Sequence, residues 1–237
     1  DDGRKLLFSS HRSARTNLYG IDLTTGEIEQ LTDLEPVPLP REFEFFRACK
    51  NPVREEAYFW HDLSLLAVDL ASKHTRRLHT LDPGWCISMS NCSADGKHVY
   101  FGIWEDLSDK IRTDLLRGYV GFKETFEARP QSKILEVAVD TGEARVVFEE
   151  KYWIGHVNTS STQRNLLTFC HEGPWNLVTQ RMWLLDFASR EARPCFRQDE
   201  FDSVGHEFWT RNGFIFFDNR GPGHDGTITS DRTQAVA

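Results

Sequence analysis

The sequence predicts an all-β fold, a β-propeller of about four to five blades. Three observations predict it. A strand–turn–strand phrase recurs four times, a second β-rich phrase led by a polar turn recurs along the chain, and a further strand precedes three of those turns. Four strands per repeat of about 40–50 residues is the signature of propeller blades.

The recurring hairpin begins at Asn17-Leu-Tyr-Gly-Ile-Asp22, Ser64-Leu-Leu-Ala-Val-Asp69, Lys133-Ile-Leu-Glu-Val-Ala138 and Arg181-Met-Trp-Leu-Leu-Asp186. Each apolar run meets a Thr-Gly or Ala-Ser turn, the expected hairpin signal. The returning strands are expected at 28–31, 76–78, 144–148 and 192–196. From Asp22 to Asp69 is 47 residues, from Asp69 to Ala138 is 69, and from Ala138 to Asp186 is 48. The long step predicts an insertion over about 105–130, charged and partly helical.

The turn-led strands start at Asp2-Gly3-Arg4, Ala94-Asp95-Gly96, Gln163-Arg164-Asn165 and Arg211-Asn212-Gly213. Inner strands are expected from near Trp85, Ile154 and Val204. These elements make three fairly complete blades, a first blade lacking its inner strand and a fifth cut short after Arg220. Residues 1–220 form the propeller domain, and 221–237 carry no strong apolar pattern. A propeller removes its open sheet edges by closing on itself. The expectation is therefore a fragment of a longer propeller, truncated near residue 221 and lacking both ends.

Composition narrows the partners. A formal charge of -8 argues against nucleic acid or an anionic membrane surface, both of which want net basic surface. It does not exclude a small acidic substrate, because local Arg and His can override global charge. No apolar run approaches the roughly 18 residues that span a bilayer. The five cysteines contain no C-x-x-C pair and cannot pair completely, so free thiols and a reducing, cytoplasmic setting are expected.

Three histidine phrases stand on this frame: Gly155-His156-Val157-Asn158, Cys170-His171-Glu172-Gly173-Pro174-Trp175 and Val204-Gly205-His206-Glu207-Phe208-Trp209. In a blade the inner strand lines the axis and the next three run outward, antiparallel. The start of the first strand, the end of the second and the start of the third therefore share one face. That geometry gathers His156, His171, Arg181 and His206 at the mouth of the central channel, with His11 and 218–220 on the same face. An imidazole can accept a proton near neutral pH, and a guanidinium can grip a carboxylate bidentately. The set fits proton abstraction alpha to a carboxyl group, and a metal site equally well. Any one of these histidines could instead be a hydrogen-bonded structural residue. Glu172 and Glu207 could be acids or bases, or fix nearby backbone. Trp175 could stack on a sugar or cap a blade core, and His224 reads as surface.

At these residues the chain resembles the oligogalacturonate lyases, polysaccharide lyase family 22. Cys170-His-Glu-Gly-Pro-Trp175, Gln180-Arg-Met-Trp183 and His206-Glu-Phe-Trp209 carry the likeness. The resemblance implies a seven-bladed propeller that cleaves digalacturonate by β-elimination with a divalent metal, typically manganese. It implies His206 as the base that removes the C5 proton and Arg181 as its basic partner. His171, His156 and Trp175 follow as substrate-binding residues. The family's metal ligands include a C-terminal Gln-x-x-His-x-His cluster, which 211–237 does not supply, so no metal ligand is assigned. The alternative is a non-catalytic TolB-like propeller binding a protein or sugar partner. A peptidase propeller ranks last, since no Gly-x-Ser-x-Gly elbow occurs.

Overall fold

Antiparallel sheets build the computed structural model, which describes residues 3–13, 15–37, 46–115, 118–220, 222–224 and 226. The first blade holds β1 (Lys5–Ser10), β2 (Asn17–Asp22) and β3 (Ile28–Gln30); the second holds β4 (Cys49–Lys50), β5 (Glu56–His61), β6 (Ser64–Asp69) and β7 (Thr75–Thr80). The third is β8 (Trp85–Cys92), β9 (His98–Glu105), β10 (Gln131–Ala138) and β11 (Ala144–Lys151). The fourth is β12 (Ile154–Thr159), β13 (Leu166–His171), β14 (Met182–Asp186) and β15 (Glu191–Pro194), and the fifth has β16 (Ser203–Trp209) and β17 (Ile215–Arg220). Within each sheet the strands lie in chain order. This is the expected count of blades, with the first three-stranded and the fifth two-stranded. The expected tail, 221–237, lies almost wholly outside the described residues.

Hairpin chemistry explains the recurring register. Asp22 Oδ1 accepts from the Thr24 and Thr25 amides at 2.8 and 3.1 Å, and Asp69 Oδ1 accepts from Ala71 and Ser72 at 3.1 and 2.6 Å. Each aspartate closes an Asx turn that begins the return strand. The second blade lacks these signals at its second strand. Its β5 carries Ala57, Tyr58, Phe59 and Trp60, all fully buried, with no alternation and no Asp-Gly turn ahead of it. A strand buried on both faces loses its period of two. Asn51 supplies the turn instead, its Oδ1 accepting from the amides of Val53 and Arg54.

Blades pack face to face through separate cores. Phe59 and Leu18 join the first and second blades, Trp60 and Phe101 the second and third, and Tyr100, Phe169 and Ile154 the third and fourth. Each such side chain contributes roughly 1.5–3 kcal/mol when fully buried. Polar ties fix the angle between blades: the Trp60 indole donates to Ser90 Oγ at 2.8 Å, and Asn158 Nδ2 to the Glu207 carbonyl at 3.2 Å. The long step between β9 and β10 holds the expected helix, α1 (Phe122–Ala128). Its Phe122 and Phe126 pack with Trp153 and Val178, which seats the insertion beside the fourth blade.

No described helix is long and apolar enough to cross a membrane. All five cysteines are free thiols.

Candidate active site

The inner strands β12 and β16 are each bulged at one place. In β12 the pairing jumps from Gly155–Cys170 to Asn158–Thr168, so His156 and Val157 face one residue of β13. In β16 it jumps from Gly205–Asp218 to Phe208–Phe216, so His206 and Glu207 face one residue of β17. A bulge bends the strand and re-aims its extra side chain. Both histidines hold a left-handed backbone, with φ of 46° and 50°. For a residue with a Cβ this conformation is strained, and such strain concentrates at functional sites. The two rings lie nearly parallel, with centroids 6.5 Å apart.

The glycine before each histidine is a space requirement. A Cβ on Gly155 would sit 2.6 Å from Glu172 Oε2, and one on Gly205 would sit 2.1 Å from the Trp175 ring. Gly-His therefore lets a carboxylate and an indole pass directly beneath the two bulges.

His206 is the more exposed of the pair, and its Nδ1 lies 3.2 Å from Asp218 Oδ2. That contact fixes Nδ1 as the donor and leaves Nε2 as the lone-pair nitrogen. Among the described residues nothing hydrogen-bonds Nε2. Arg220 Nε donates to the same Asp218 oxygen at 3.1 Å. Trp175 meets the His206 ring edge to face at 5.1 Å.

Beneath them runs a chain of charge. Arg181, 2% exposed, donates through Nη2 to Glu172 Oε1 at 2.9 Å and through Nη1 to the His171 carbonyl at 3.3 Å. Its buried Nε has no partner. Glu172 Oε2 lies 3.7 Å from His156 Nε2, and Glu207 Oε2 lies 3.6 Å from His156 Nδ1. Burial alone would raise the Glu172 pKa, but the charges of Arg181 and His156 and the Arg181 hydrogen bond pull it down to about 2. Burial opposes the charged form of His156, yet the carboxylates of Glu207 and Glu172 outweigh it and hold its pKa above 6.5.

His156, Arg181, His206 and Trp175 line one cleft of about 230 Å³, as the blade geometry anticipated. His171 does not join them. Its Nε2 bonds Glu150 at 2.7 Å, and its ring stacks on Tyr152 at 3.7 Å, tying the fourth blade to the third. The strand's alternation turns Cys170 and His171 to opposite sides, which places Cys170 rather than His171 under the site. His11 is also elsewhere, 2.8 Å from Thr16 Oγ1. Two details of Arg181 and Trp175 differ from the sequence expectation. Arg181 is buried and each of its Nη atoms already donates to a protein oxygen, so it is committed to the fold rather than set out as an open fork. Trp175 is buried, with the guanidinium carbons of Arg181 and Arg220 at 5.4 and 5.0 Å from its ring centre. Its rings back the histidine and leave no open face for a sugar.

Sequence reasoning did not assign roles to Asp218, Glu172 and Glu207 as partners of the histidines, nor to Arg47, which also lines the cleft. His224, read as surface, sits 6.1 Å from Trp175. For the aspartate a signal existed: Asp218 directly pairs with Gly205 in the hairpin register.

Among the described residues one group could approach a metal ion, His156, Cys170 and Glu172, whose ligand atoms lie within 4.8 Å of one another. It does not fit manganese. Manganese favours oxygen donors, whereas here one donor is a fully buried thiol and the carboxylate is already paired with Arg181. Burial pushes the Cys170 thiol pKa up, against the thiolate form in which cysteine ligates metals.

Comparison with known proteins identifies the family. The family model described as oligogalacturonate lyase matches residues 1–218. The oligogalacturonate lyase of Dickeya dadantii and the oligogalacturonide lyase of Pectobacterium atrosepticum are each 27% identical over 220 residues, 90% of this chain and 53% of their own length. The chain thus spans about half the length of the curated relatives it matches. A solved oligogalacturonate lyase in complex with manganese superposes with a TM-score of 0.78 at 26% identity, covering 94% of this chain and 57% of that one. An Agrobacterium tumefaciens TolB protein shares the fold, with a TM-score of 0.60 at 15% identity over 93% of this chain and 71% of its own. With its bulged histidines and its buried arginine inside the matched region, this chain belongs to the oligogalacturonate lyase family.

Proposed function

We propose that this chain carries the proton-abstracting face of an oligogalacturonate lyase acting on short galacturonides such as digalacturonate. One observation supports it above the others: His206, oriented by Asp218, opens on a cleft that also holds Arg181 and His156. In this reading His206 Nε2 takes the C5 proton of a galacturonate. The electron pair left behind forms the C4–C5 double bond, and the C4–O bond to the neighbouring sugar breaks. The leaving oxygen takes its proton from water, and His206 returns its own to solvent.

The residues divide the electrostatic task. Removing the C5 proton throws negative charge onto the uronate carboxylate, and fixed positive charge nearby lowers that barrier. His156, whose protonated form the two carboxylates favour, supplies it at the cleft, and the Arg181 charge supplies it from below. Glu172 and Glu207 keep the two cations in place. Trp175 supports the His206 ring rather than the substrate, and His171 positions the backbone carbonyl that receives Arg181 Nη1. Manganese belongs in the assay because a similar lyase binds it. The described residues offer no ligand set that suits the ion.

The purified protein, incubated with digalacturonate and manganese, should generate the 4,5-unsaturated product, read as rising ultraviolet absorbance. A flat trace at all pH values between 5 and 9 would sink the proposal.

A further inference from the structure

The insertion between β9 and β10 reaches the site from behind. Its helix α1 ends at Arg129, whose backbone is left-handed with φ of 50°. Glycine suits such a helix end, so an arginine there draws compensation from what its side chain touches. Its guanidinium carbon lies 3.9 Å from the centre of the Tyr152 ring and 4.5 Å from that of Phe126. The His171 ring centre lies 3.7 Å from the same Tyr152 centre, at an interplanar angle of 14°. Two groups that close to one ring centre cannot share a face, so Tyr152 is sandwiched between the cation and the imidazole. Glu150 bonds His171 Nε2 at 2.7 Å and stops that ring from turning. Arg129 is half-buried, where the attraction of a cation to an aromatic face is stronger than in open solvent.

The stack ends on the two residues that grip Arg181. The His171 amide donates to the Arg181 carbonyl at 2.8 Å, and the His171 carbonyl accepts from Arg181 Nη1 at 3.3 Å. The next side chain, Glu172, accepts from Arg181 Nη2 at 2.9 Å. The helix braces the same dipeptide in two further ways. The Glu172 amide donates at 2.8 Å to the carbonyl of Trp153, whose ring packs edge to face on Phe122 of α1 at 5.6 Å. A Cβ on Gly173 would sit 2.3 Å from the Phe126 ring, so that ring lies directly against the backbone that follows Glu172. Arg129 itself does not line the cleft. Whatever it does for the site it does through Tyr152 and His171.

Resting on the lyase reading above, we infer that Arg129 is a positioning residue for the reaction: through Tyr152 and His171 it holds residues 171–172 against Arg181 and so sets where the Arg181 charge stands. The charge that stabilises a transition state acts only from a fixed place, and a small displacement weakens it. The insertion is thus a brace for the site, carried by the third blade and pressed on the fourth.

The experiment compares the native protein with Arg129→Gly and Arg129→Lys on digalacturonate. Glycine keeps the left-handed helix end and removes the cation, whereas lysine keeps a cation over the ring. Arg129→Gly should lower kcat by about threefold or more, with KM changed less. Arg129→Lys should recover most of that loss. A native kcat in Arg129→Gly overturns the inference, as does a raised KM with native kcat, or a lysine variant no better than the glycine one. If Arg129→Gly does not fold, Arg129→Gln, which keeps the stem without the charge, is read in its place by the same criteria. Should the native protein lack lyase activity, the lyase reading fails on its own. Amide hydrogen exchange then decides Arg129 independently. Exchange at His171 and Glu172 that is severalfold faster in Arg129→Gly, with β6 in the second blade unchanged, supports the brace. Equal rates, or an equal acceleration in β6, refute it.

Discussion

His206 Nδ1 and Asp218 Oδ2 lie 3.2 Å apart across the β16–β17 hairpin, with Asp218 paired in register to the glycine that precedes the histidine. In the proposed reaction the aspartate sets the tautomer that leaves Nε2 to act as the base. Asp218→Asn should therefore lower kcat about a hundredfold or more with little change in KM. Steady-state kinetics on digalacturonate check this. An unchanged kcat would remove Asp218 from the base.

Glu172 is the counter-ion of a guanidinium that is 2% exposed. Breaking a buried pair leaves the remaining charge without compensation, at a cost of about 3 kcal/mol or more. Glu172→Gln should then lower the melting temperature by about 6–12 °C in a chain of this size. Differential scanning calorimetry reads it directly.

The same carboxylate links stability to acid. Folding lowers the Glu172 pKa from 4.5 to about 2, so between those values the unfolded chain binds the proton more readily. The contribution of the pair is complete above pH 4.5 and declines as pH falls toward 2. Glu172→Gln should flatten this part of the native stability curve. Chemical denaturation of both proteins from pH 5 to pH 2.5 tests it, and parallel curves would contradict it.

His156 has the opposite sign. Its folded pKa is raised above 6.5, so its stabilisation is present below that value and is lost as pH climbs through the folded pKa. Its imidazole resonances in NMR should titrate with a midpoint above 6.5, and Glu207→Gln should move that midpoint down. A midpoint at or below 6.5 in the native protein would show that the two carboxylates do not hold it charged.

Gly205→Ala tests the seat of the base. Its Cβ would fall 2.1 Å from the Trp175 ring, so the indole or the bulge must move. Overpacking of this kind costs typically 1–3 kcal/mol. We expect a melting temperature lower by several degrees, about 2–4 °C per kcal/mol, and a kcat that falls with it. A crystal structure of the variant with both Trp175 and the β16 bulge unmoved would contradict the packing argument.

Much of this was legible in the sequence because the repeat is local. Alternating apolar residues and Asx or Thr-Gly turns are written into each hairpin, and they place β2, β6, β10 and β14 without tertiary information. The strand β5 escaped because burial on both faces erased its alternation. The meeting of His156, Arg181 and His206 followed from blade geometry, since strand ends on one face must converge. The separation of His171 from them did not, because one residue's shift along β13 decides which side of the sheet it takes. Arg47 also lines the cleft with the left-handed backbone of the two histidines, a kinship of conformation that residue type does not reveal.

The central claim is that His206 is the base, and imidazole rescue addresses it most directly. His206→Ala should reduce the rate of unsaturated-product formation by a factor on the order of 10²–10⁴. Added imidazole should restore part of that rate in proportion to its unprotonated form, while leaving the native protein unaffected. A His206→Ala protein that keeps the native rate without imidazole would contradict the account.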